Sequence, residues 1–161
     1  MDYSEVWLAG KGPSLDKFKW LPERTPRYAV NEVGLVIPDC AGIFALDYRV
    51  FDKLLETDIP VYKKHNHRKY KFQNEVLWTT EEVPNVYATA VVAIQILCNQ
   101  GARIIHCVGF DSIDGCGGYA ETIKSLEAEG TNTDNYRKIN DNLLATIEKL
   151  GVECVWEHRY V

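Results

Sequence analysis

The apolar run Val6-Trp7-Leu8-Ala9 breaks at Gly10-Lys11-Gly12-Pro13-Ser14-Leu15, and a segment of helical character follows through Trp20. A strand that ends in a glycine-rich turn and feeds a helix leaves backbone N–H groups aimed above the turn, with the helix dipole behind them. Gly10 and Gly12 let a ligand approach the main chain closely. Pro13 suits a first helical turn, and Lys11 adds a positive charge. This pattern predicts a seat for phosphate. It matches neither a Walker A loop nor G-x-G-x-x-G, and the plainer reading is an ordinary β-to-α turn capped by Ser14.

A chain of 161 residues supports one sizeable core, so residues 1–161 are read as a single domain. Its net charge of −5 argues against general nucleic-acid binding. No apolar run approaches the ~18 residues of a membrane span, and Met1-Asp2-Tyr3-Ser4-Glu5 lacks the features of a secretory leader. Five scattered cysteines with no C-x-x-C pair fit neither a disulfide framework nor a zinc site. A reducing cytoplasm, with no membrane partner, is the expected setting.

Short apolar runs recur along the chain: Arg27-Tyr28-Ala29-Val30 ending at Asn31, Ala41 to Leu46 ending at Asp47, Ile59 to Tyr62, Val76 to Trp78, Arg103 to Val108, and Val152 to Trp156. Helical spacing spans Tyr48 to Leu55, Val86 to Asn99 with Gly101 as its stop, and Asp134 to Leu150. Such alternation predicts a single-domain three-layer α/β/α Rossmann-like sandwich with a mainly parallel sheet, the unit from Val86 to Val108 at its centre. Pro60 marks Ile59 to Tyr62 as an edge strand. In a sheet of this type ligands bind outside the carboxyl ends of the strands, where Asn31, Asp47, Asp111 and Ser112 fall; for Asn31 and Asp47 helix capping is the competing reading.

The run Lys63-Lys64-His65-Asn66-His67-Arg68-Lys69-Tyr70-Lys71 is the most basic in the chain and reads as a solvated loop or a phosphate-binding one. His106, among apolar neighbours, reads as a satisfied histidine rather than a catalyst. The loop Asp114-Gly115-Cys116-Gly117-Gly118-Tyr119 can fold over a ligand, with Tyr119 supplying a ring or phenol. Cys116 has no sequence-level partner to activate it as a nucleophile.

Two stretches carry a family resemblance, in order, from Val6 to Trp156. Gly10 to Leu15 resembles the G-x-G-P-S-L turn of bacterial CMP-sialic-acid-dependent sialyltransferases and of the 6-hydroxymethylpterin diphosphokinase-like family. The helix and strand from Val86 to Ile105, then Gly109-Phe110-Asp111, are similar to the G-[IVF]-D unit of both. The sialyltransferase resemblance implies cytidine-nucleotide contacts from the glycine turn and Asn31, and a donor-phosphate contact from Tyr119. The chain departs from those enzymes at Lys11, around Pro84-Asn85, at Ile113, and near Glu129, where they place a general-base histidine before an Asn-Thr-Asp like Asn132-Thr133-Asp134. The diphosphokinase-like resemblance implies magnesium held by Asp47 and Asp111.

The leading expectation is a nucleotide-dependent transferase of glycosyltransferase type with a nucleotide-sugar donor. It would bind through Gly10, Lys11, Gly12, Pro13, Ser14, Asn31, Asp111 and Ser112, with Tyr119 aiding the leaving group and Glu129 or His158 as base. The alternatives are a magnesium-dependent pyrophosphokinase and a non-catalytic nucleotide binder. A homo-oligomer through the apolar helix from Val86 is left open.

Overall fold

The structure, a computed structural model, describes residues 2–18, 20, 25–123 and 136–161. Its seven strands are β1 (Glu5–Ala9), β2 (Arg27–Val30), β3 (Cys40–Phe44), β4 (Val61–Lys64), β5 (Glu75–Trp78), β6 (Ile104–Val108) and β7 (Glu153–Trp156). They form one sheet in the order β5-β4-β3-β2-β1-β6-β7, and every pairing is parallel. The α/β class expected from the sequence is the one observed.

The chain lays down β1 to β5 outward on one side. It then crosses through α2 (Thr89–Asn99) to place β6 on the other side of β1. Strand order therefore reverses between β1 and β6. There the connections leave in opposite directions, and a crevice opens at the carboxyl ends.

Period-two alternation sends Val6, Leu8, Tyr28, Phe44, Ile105 and Cys107 into the larger core cluster with α2 and with Leu143 of α3 (Tyr136–Leu150). The opposite face is covered by shorter pieces. Ile43 and Val61 pack on Val50 and Phe51 of α1 (Tyr48–Phe51), while Ala9, Ala29 and Val108 pack on Leu15, Val33 and Ile123 from 3-10 turns. All of Val91 to Leu97 is buried, so α2 has little amphipathic contrast, whereas α3 buries only Leu143 and Thr146.

Several expectations need correction. The segment after the glycine turn is a single 3-10 turn, Pro13–Asp16, not a helix through Trp20; its C-cap, Lys17, closes it by donating to the Ser14 carbonyl. β4 is an interior strand that starts at Val61, so Pro60 merely precedes it, and β5 is the edge. The central strand is β2, all four residues of which are buried, rather than β6. Asn31 does not cap a helix. It begins a 3-10 turn, Asn31–Val36, in the left-handed region at φ 59°. Among the described residues no helix is long and apolar enough to cross a membrane, and all five cysteines are free thiols.

Candidate functional site

A cavity of about 440 Å³ lies at the crevice between the carboxyl ends of β1, β2 and β6. Gly10, Lys11, Gly12, Asn31, Asp47, Ser112 and Tyr119 line it, joined by residues the sequence reading did not single out as site residues: Arg49, Tyr87, Ala88, Thr89, Ala90, Tyr136 and Asn140. Expected residues therefore converge on one opening, but not all of them, and not all in the expected roles.

The N–H groups of both glycines of the turn, and of Ser14, are spent inside the protein. Gly10 donates to the Val108 carbonyl and Gly12 to the Gly109 carbonyl, each at 2.7 Å. Ser14 donates its N–H to both carboxylate oxygens of Asp111 at 3.2 Å and its hydroxyl to Oδ1 at 2.8 Å, while the Gly109 N–H donates to the Ser14 hydroxyl at 3.0 Å. The anion held at this 3-10 turn is thus the buried side chain of Asp111. Asp111 and Ser14, expected to face a nucleotide or a metal, instead staple β6 to the turn after β1, and neither they nor Pro13 line the cavity.

A second helix start does open on it. Ala88, Thr89 and Ala90 line the cavity, and α2 has Ala88 at its N-cap with no side-chain hydrogen bond to the cap. An eleven-residue helix that begins without a capping side chain presents first-turn N–H groups and the positive end of its dipole to the ligand space. Small side chains there let a ligand come close. The lead-in to this helix is braced: Gln95 donates to the Asn85 carbonyl at 2.6 Å, and Asn85 donates to Asn142 at 2.9 Å and to Thr146 at 3.1 Å on α3.

Charge in the cavity is paired. The Lys11 ammonium lies 2.6 Å from Glu32 Oε1, whose side chain is fully buried, and sits 5.6 Å from the centre of the Tyr119 ring. Asp47 caps α1 by accepting the Arg49 N–H at 2.9 Å and grips the Arg49 guanidinium at 2.6 Å. That guanidinium holds the Asp47 carboxyl below the usual carboxylate range. Capping, one of the two readings of Asp47, is therefore realised. With Asp111 turned to Ser14, the two carboxylates expected to share magnesium do not face each other across the cavity, and among the described residues no cluster of three His, Cys, Asp or Glu side chains could hold a metal.

Asn31 Oδ1 is buried without a hydrogen-bond partner in the cavity wall. Such an acceptor is costly unless something donates to it, and this one is open to a donor entering the cavity. The Tyr119 and Tyr136 hydroxyls meet at 2.5 Å, and Asn140 donates to the Ser112 hydroxyl at 3.3 Å, so α3 contributes to the wall beside α2. Cys116 is exposed and also lines the cavity. Cys40 and Cys98 lie elsewhere, and burial pushes their thiols up to about 11.

His158 is not at the cavity. Its Nε2 meets Asp114 at 2.5 Å, and Arg159 adds a second hold at 2.8 Å, so it ties the chain end to the 3-10 turn after β6 and is not placed as a base. Glu129 lies outside the described residues, as does Asp134, the expected cap of the last helix. Both of these catalytic assignments rested on position after a strand or near a motif, and neither carried a signal for the partner.

His106 behaves as the satisfied histidine expected. Its ring stacks on Trp7 at 4.3 Å, with Nε2 2.6 Å from Glu5 and Nδ1 2.8 Å from Glu157. Burial opposes its protonation most, but the hydrogen bonds that Glu5 and Glu157 accept from the ring outweigh it and raise its pKa. A raised folded-state pKa gives stability that is whole below the unfolded value of about 6.5 and lost as pH climbs through the folded value. The midpoint of thermal denaturation is therefore expected to fall as pH rises from about 6.5 through the folded-state value. His106→Gln should flatten that slope; an unchanged slope would refute the assignment.

The fold and site define an α/β protein with a ligand crevice at its topological switch point. In comparisons with known proteins, no family model, no curated protein and no solved structure matches the chain.

Proposed function

We propose that the protein is a nucleotide-dependent transferase of glycosyltransferase type, its nucleotide-sugar donor held in the cavity with a phosphate on the first turn of α2. The observation that carries this reading is the uncapped start of α2 opening onto the same 440 Å³ space as Lys11, Asn31 and Tyr119. Asn31 Oδ1 would accept from the base or ribose, and Lys11 would lie beside the phosphate. The Tyr119 hydroxyl, already hydrogen-bonded to Tyr136, would stabilise charge on the phosphate oxygen as the sugar–oxygen bond breaks. Engagement of Asp111 by Ser14 weighs against the magnesium-dependent alternative. The resemblance to bacterial sialyltransferases points to the same ligand class.

A second reading, a nucleotide binder without turnover, is favoured by one feature. Among the described lining residues Asp47 is the only carboxylate, it is held by Arg49, and there is no histidine. Both readings predict stabilisation by a cytidine or uridine nucleotide without added metal, about 2.7 kcal/mol at 100 times the Kd. That shift should disappear in Thr89→Glu, which sets a negative charge at the helix start. Transfer of the sugar to an acceptor, or its hydrolysis, supports the enzyme; binding without either supports the second reading. Absence of any nucleotide response discards both.

A further inference from the structure

The sheet ends at β5, and the surface there differs in chemistry from the rest of the chain. β5 pairs with β4 on one side, and among the described residues its other backbone edge has no strand partner. Val76 and Leu77, successive and so on opposite faces of the strand, are 37 % and 52 % exposed. Edge strands are commonly guarded by charged residues. Here the one charge in the strand, Glu75, is turned onto Lys63 at 2.8 Å, which leaves the edge apolar and open.

Beside it runs the crossover from β4 to β5. Tyr70 and Phe72 anchor it by packing on Phe51 at 5.5 and 5.3 Å, so it is held against the sheet. Its outer surface carries His65, Arg68, Lys69 and Lys71, with Lys64 at its start, in a chain of net charge −5. Among the described residues none of these five forms a salt bridge, in contrast to buried Lys63.

An anchored row of cations beside an open, apolar strand edge suits a particular partner. A second copy of this chain, pairing edge to edge, would bring the same cations together and be opposed by their repulsion. Single-stranded nucleic acid would need exposed rings to stack on, and Tyr70 and Phe72 are only 9 % and 7 % exposed. We propose that β5 and its basic crossover dock an extended acidic segment of a partner protein by strand addition. The segment's main chain continues the sheet, its apolar side chains on one face cover Val76, and its carboxylates on the other, the face that Leu77 shares with the crossover, meet Arg68, Lys69 and Lys71.

The test uses the whole protein and a fluorescent peptide of about ten residues alternating glutamate and valine, long enough to span a strand. Saturable binding is expected, weakened at least about tenfold by the double substitution Arg68→Glu/Lys69→Glu and by Leu77→Glu, as for loss of complementary charge or an edge given a guarding charge of the peptide's own sign. The same peptide with alternate backbone nitrogens methylated should not bind. Equal binding of the methylated peptide would reduce the surface to plain electrostatics and overturn strand addition. Tighter binding of a DNA duplex or of phosphatidylglycerol vesicles, or no binding of the unmodified peptide, would also overturn it. None of the substituted residues lines the cavity, so a nucleotide-induced thermal shift should survive in these variants whichever way the peptide result falls.

Discussion

Replacing Gly109 by alanine is expected to cost about 4 kcal/mol or more and to lower the melting temperature by roughly 10 °C or more in a chain of this size. Two causes add. Gly109 sits at φ 79°, where a side chain is strained, and a Cβ there would stand 2.2 Å from the Gly10 carbonyl oxygen and 2.7 Å from its carbon. Both atoms are backbone, so no rotamer change relieves the overlap. The turns after β1 and β6 would have to part, and with them the bonds from Gly10 to Val108 and from Gly12 to Gly109. Gly117→Ala is the control: it meets nothing within 4 Å and should leave the midpoint within about 0.5 kcal/mol of the parent. Circular dichroism against temperature or urea reads both, and an unchanged Gly109→Ala midpoint would rule out the close crossing of the two turns.

That crossing marks the boundary between what the sequence makes legible and what it does not. Apolar runs bounded by polar residues located the strands, because a strand buried on both faces must be apolar throughout. That Asn31, Asp47 and Tyr119 would line one opening was legible because a parallel sheet delivers whatever follows its strands to one edge. Asp111 was placed at that edge for the same reason, yet its partner Ser14 lies 97 residues away, and no local pattern says that a carboxylate will serve as the anion of a turn. The apolar density of α2 and β6 suggested the centre of the sheet. Density reports burial, and β2 is as buried while lying at the true centre. The start of α2 was hidden because Val86 and Tyr87 continue the apolar pattern, although Asn85 turns the chain by accepting the Tyr87 N–H and the helix begins only at Thr89. Arg49 and Tyr136 reach the cavity from helices, where strand-end reasoning does not look.

The second large effect is expected at Lys11. Its ammonium neutralises a carboxylate, Glu32, that is wholly withdrawn from water, while Lys11 itself is 11 % exposed at the cavity wall. Lys11→Met keeps the length of the stem and removes the charge, leaving Glu32 buried without that cation. Breaking a buried ion pair from one side costs about 3–5 kcal/mol, far more than the pair contributes as a whole. The double variant Lys11→Met/Glu32→Gln removes both charges and should recover most of that loss, to within about 1 kcal/mol of the parent, an interaction energy that a double-mutant cycle reads directly. If the double variant stayed as unstable as the single one, the charge on Glu32 would not be what Lys11 is there to balance. The same protein also divides the work of the cavity. Restored stability with the nucleotide-induced thermal shift gone would make Lys11 a phosphate contact as well as the partner of Glu32. Restored stability with the shift intact would leave the phosphate to the first turn of α2 alone, and Lys11 to holding the turn after β1 against the one that follows β2.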